Sequence, residues 1–96
     1  MDDAKYQEVI EGYRRFFAER GIIPVAFPHK LYNPRPDEML AHCAQMLPKM
    51  EQFLAEGRVG KVNRWLGFIQ GVLWSRGLRS LDDLKNVNRP SPPPSA

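Results

Sequence analysis

Nine prolines in a chain of 96 residues limit what this sequence can fold into. Proline lacks a backbone N–H and fixes φ, so it bends or ends helices and is kept out of central strands. Pro24, Pro28, Pro34 and Pro36 crowd one short stretch, Pro48 stands alone, and Pro90, Pro92, Pro93 and Pro94 fall near the C-terminus. The chain is thereby divided into helical segments, an extended connector and a tail. The connector carries Ile22, Ile23, Val25 and Phe27, which are expected to lie over the hydrophobic core. A strand there would lack a partner, because no second strand pattern occurs elsewhere.

Between the prolines the apolar residues recur at helical spacing. Tyr6, Val9, Ile10, Tyr13, Phe16 and Phe17 form one stripe over a first helix from Asp2 to Arg20, capped by the aspartates and stopped by Gly21. A second helix is expected from Pro36 or Asp37 to Gly57, with the seam Leu40, Cys43, Leu47, Met50 and Leu54 widened by Met39, Met46 and Phe53. That register continues through Pro48, so the spacing predicts a kink there and not a break. A third helix from Gly60 to Arg76 places Val62, Trp65, Leu66, Ile69, Val72 and Leu73 on one face. A short fourth helix is capped by Ser80 with Asp83 in the reciprocal position, and Leu81, Leu84 and Val87 are expected to face inward. The expected fold is therefore all-α: a small bundle of three main helices with the third at its centre, and a short fourth. A single domain would span 1–89, with a disordered proline-rich tail over 90–96.

Composition excludes several classes of function. The chain is too short for a two-domain enzyme, and its one cysteine excludes an intramolecular disulfide framework. No long uncharged apolar run marks a membrane span and no basic-then-apolar leader marks a secreted chain, so the expected compartment is the cytoplasm. His42 and Cys43 are neighbours on a helix and point about 100° apart, which is no nucleophile–base pair. Cys43 sits on the apolar seam, as a core thiol does. Two histidines and one cysteine do not make a zinc site, no glycine-rich phosphate loop occurs, and Asp82 and Asp83 are accounted for by helix capping. Neither catalysis nor a cofactor is expected.

Two features point to binding. The net charge of +3 is unevenly spread: residues 1–57 carry −2 and residues 58–96 carry +5. Arg64, Arg76 and Arg79 are the leading members of that basic third, which could meet phosphates or an acidic protein. The second feature is the face of the third helix opposite its apolar stripe, where Gly60, Gly67, Gly71 and Trp74 gather with Asn63 and Gln70. Each interior glycine costs about 1 kcal/mol of helix stability relative to alanine. Gly67 and Gly71 therefore call for a packing or contact reason: either another segment of the chain covers them, or they line a groove for a partner or second copy, with Trp74 the better anchor than Trp65. Tyr32 in the connector and the Pro90-Ser-Pro-Pro run are lesser candidates for contact.

The stretch Lys61-Val-Asn-Arg-Trp-Leu-Gly-Phe-Ile-Gln-Gly-Val-Leu-Trp, continued by Gly77-Leu-Arg-Ser-Leu-Asp-Asp-Leu-Lys-Asn, resembles a group of small phage accessory proteins, and Met-Leu-Pro-Lys-Met at 46–50 fits the same resemblance. It covers residues 39–89 and brings no catalytic residue. The resemblance implies a non-enzymatic protein that binds and inhibits or modulates a host protein or defence complex, in the manner of an anti-defence or anti-CRISPR factor, in the host cytoplasm. A homodimer is expected, with Asn63, Gly67, Gln70, Gly71 and Trp74 as the contact face and Arg64, Arg76 and Arg79 steering the approach. The alternative is a nucleic-acid or nucleotide-binding module that uses the basic C-terminal third.

Overall fold

The first helix forms where the aromatic stripe predicts it. In the computed structural model, which describes residues 1–30 and 33–90, α1 spans Asp3–Glu19. The Asp2 side chain caps it by accepting the N–H of Lys5 at 2.8 Å. All six stripe residues are buried. Three more helices follow: α2 over Pro36–Ala55, α3 over Val59–Ser75 and α4 over Leu81–Asn88. There is no strand among the described residues. Tyr32 and the tail beyond Pro90 lie outside them.

Helix α2 runs unbroken through Pro48, which is exposed, while Met46, Leu47, Met50, Phe53 and Leu54 stay buried on either side. The core-facing register thus outweighs the one backbone hydrogen bond that proline removes. Its end is set by Gly57 at φ 76°, a left-handed conformation costly for any residue with a Cβ. The Gly57 and Arg58 N–H groups then reach back to the carbonyls of Leu54 and Phe53, at 3.0 and 2.8 Å. The same closure recurs at Gly21 and Gly77. Ser80 and Asp83 exchange the two hydrogen bonds of a capping box, each 3.0 Å, at the start of α4.

The helix at the centre is α2, not α3 as the sequence suggests. It packs against both α1 and α3, while α4 leans on α1. Residues of α1, α2 and α3 build one hydrophobic cluster in which Cys43, Met50, Val62, Ile69 and Leu73 are wholly buried or nearly so. α3 contributes only four buried residues, fewer than α1 or α2, because Gly67 and Gly71 bring no side chain to bury and Asn63 and Gln70 are polar. An ion pair from Arg14 to Glu51 ties α1 to α2.

Two expectations about peripheral residues need correcting. In the connector only Ile22 packs on the core and Phe27 is half-buried; Ile23 and Val25 face solvent, Ile23 with 75% of its surface exposed. The connector is held instead by its backbone. Val25 N–H donates to the Ala41 carbonyl at 3.1 Å and Phe27 N–H donates to His42 Nδ1 at 3.3 Å, fixing it alongside α2 with intervening side chains turned outward. In α4, Leu81 is also exposed, and Val87 is the residue that reaches the core. An eight-residue helix that leans mainly on α1 buries one end, and its C-terminal end is the one held, through the hydrogen bonds of Asn88 with Gln70 of α3.

Candidate functional site

Helix α3 offers three distinct sides. Val62, Leu66, Ile69 and Leu73 point into the core. On the side toward α1, Asn63 Oδ1 accepts the Tyr6 hydroxyl at 2.6 Å, and Gln70 Nε2 donates to Tyr13 Oη at 3.0 Å and to Asn88 Oδ1 at 2.8 Å. The Tyr13 hydroxyl is held above its ordinary pKa, chiefly by burial and against the Gln70 hydrogen bond. Asn63 and Gln70, expected at a partner interface, are thus bonded within the fold. They fasten α3 to α1 and, through Asn88, to α4.

The remaining side is open. Gly67 and Gly71 are exposed, and a Cβ built on either would meet no atom within 4 Å. Neither is explained by α1 or the connector lying over it, since no described residue does. Trp74, on this side, is 55% exposed, and Phe68, at its edge, is 53% exposed. Trp65, by contrast, is half-buried with its ring edge-on to Phe53 at 5.0 Å, as a core residue would be. The open side therefore separates the two tryptophans in the way the glycine pattern suggests.

The arginines of the basic third do not share one surface. Arg79 lies over the Phe16 ring at 4.2 Å and beside Tyr13, on the α1 side of the molecule. Arg76 is exposed at the end of α3, and Arg64 is exposed on the flank facing α2. Sequence reasoning missed that second flank. There Phe27 and His29 from the connector, His42 from α2 and Phe68 from α3 border a shared hollow. The signal was present as Lys61, Arg64 and Phe68, spaced three and four apart along one side of α3. Burial, and then the neighbouring His29, lower the pKa of His42, which keeps its ring neutral while Nδ1 accepts from Phe27.

The Cys43 thiol is fully buried and pushed up to about 12, far from the thiolate a nucleophile needs. No group of three metal-ligating side chains occurs among the described residues, and no described helix is long and apolar enough to cross a membrane. What the fold defines is an all-α bundle with one helix left open along its length. Comparison with known proteins adds no relative: no family model, curated protein or solved structure matches the chain.

Proposed function

We propose that this protein is a non-catalytic binding module that attaches to another protein through the open side of α3. The observation that carries this reading is the pairing of two exposed interior glycines, with empty space at their Cβ positions, and a Trp74 left more than half exposed beside them. The glycines weaken the helix and fill no internal need among the described residues. A ridge without side chains lets another backbone approach closely, and tryptophan is a frequent anchor at such contacts. Arg64 and Arg76, exposed near either end, would speed the encounter with an acidic partner.

The resemblance of residues 39–89 to small phage accessory proteins supplies the setting: the partner is a host protein or defence complex, inhibited or modulated by being occupied. The same ridge suits a second copy of the chain, giving a homodimer. Affinity capture from host lysate with the tagged full chain, its Trp74→Ala variant and its Gly67→Leu variant tests the reading. Both variants should lose the captured partner while keeping the wild-type helical circular dichroism. Retention of the same partner by both folded variants overturns it.

A second reading, binding to nucleic acid, is favoured by the +5 charge of residues 58–96. Such binding would weaken by orders of magnitude between about 50 and 200 mM salt. Salt-insensitive association excludes it.

A further inference from the structure

The flank of α3 facing α2 and the connector carries a second surface whose chemistry differs from the glycine ridge. Two adjoining hollows, of about 380 and 560 Å³, share Phe27, His29, His42 and Phe68 in their walls. Toward one end the walls are mainly apolar, from Pro28, Pro34, Met39 and Val72, with Glu38 as the one carboxylate among the described residues that line them. Toward the other end come Lys49, Lys61 and Arg64, with no carboxylate in that wall. We infer that this groove binds an acidic peptide segment of a partner protein, an apolar side chain seated against Phe27, Met39 and Phe68 and neighbouring carboxylates meeting Lys49, Lys61 and Arg64.

Charge complementarity is the main argument. Among the described residues Lys49, Lys61 and Arg64 have no carboxylate within ion-pair distance, as is true of Arg76, Arg79 and Lys85 too, but the first three line one hollow whose wall holds no carboxylate. Lys61 is nonetheless held in place, its Nζ 4.5 Å from the Phe53 ring centroid and 5.8 Å from that of Trp65. A positioned cation without a counter-charge, beside a half-exposed phenylalanine, suits a ligand that brings both carboxylate and hydrocarbon.

A nucleic acid fits less well. Binding of a nucleic-acid strand uses aromatic faces on which successive bases stack. Here Phe27 and His42 are tilted by 47°, while His42 and Phe68, at 71°, and Phe53 and Trp65, at 89°, meet edge to face, so these rings do not form a row of parallel platforms.

This inference rests on the reading of the chain as a binding module, and the test separates the two. Random dodecapeptides displayed in a library are selected on the immobilised full chain, and the enriched peptides are titrated by fluorescence anisotropy. The expected sequences combine an aromatic residue or leucine with a cluster of Asp or Glu. Lys49→Glu with Lys61→Glu should weaken them by about tenfold or more, Phe68→Ala should also weaken them, and Trp74→Ala should leave them unchanged. Circular dichroism confirms that each variant is folded, and Lys49→Glu alone, at an exposed position, gives the charge test if the double variant is not. Enrichment without acidic residues, no enrichment, indifference to the charge reversals, or displacement of the peptides by a labelled oligothymidine each overturns the groove. In those cases loss of the lysate partner by Trp74→Ala would still uphold the binding-module reading.

Discussion

Replacing Gly67 and Gly71 by alanine should make the isolated protein more stable. Both glycines lie inside α3, neither has a positive φ, and a Cβ at either position meets no atom within 4 Å. No strain therefore offsets the gain in helix propensity, which is about 1 kcal/mol for each exchange. Helix propensity is a per-residue quantity that sums along the helix, which gives about 2 kcal/mol for the double variant. In a domain of this size each 1 kcal/mol raises the melting temperature by roughly 4–8 °C. Urea unfolding at low protein concentration, followed by circular dichroism, measures the change free of any association. A double variant that unfolds at lower urea than the wild type would refute the reasoning, because something must then pack on the ridge in the single chain. Equal stability would refute it too, since the glycines would then carry no helix penalty to relieve. The same substitutions should weaken association with a partner that uses the ridge, so stability and binding are expected to move in opposite directions.

Tyr6→Phe removes the 2.6 Å hydrogen bond to Asn63 and should cost about 1 kcal/mol in urea unfolding, since Asn63 is exposed and can turn to water. Cys43, fully buried and pushed up to about 12, should stay unreactive to a thiol reagent at pH 8 in the native protein and react at once in denaturant. His42 binds its proton less readily in the folded chain than in the unfolded one, so its contribution to stability is complete above the ordinary value of 6.5 and declines as pH falls below it. Urea midpoints measured between pH 7.5 and 5.5 should therefore drop more for the wild type than for His42→Gln.

The helices were legible because each is written locally. The aromatic stripe of α1, the seam of α2 across Pro48 and the Ser80–Asp83 capping box are patterns within a few turns, and each appears where spacing alone put it. The candidate site was only half legible. Spacing placed Asn63, Gly67, Gln70, Gly71 and Trp74 together on one side of α3, but it could not say that Tyr6, Tyr13 and Asn88 claim Asn63 and Gln70. Nor could it place His42 beside Phe27 and Phe68, three residues brought together from three segments far apart in sequence.

By itself, then, the sequence determined the helices, their ends and which stripe of each is apolar. Those features depend on backbone hydrogen bonds and side-chain spacing over three or four residues. Tertiary structure alone decided that α2 is central, that the connector is held by its backbone with Ile23 in solvent, and that the glycine ridge with Trp74 is left uncovered. Those outcomes depend on how much apolar surface each helix brings to the others. α1 and α2 bring the wider stripes and bury more residues than α3, whose glycines have nothing to bury.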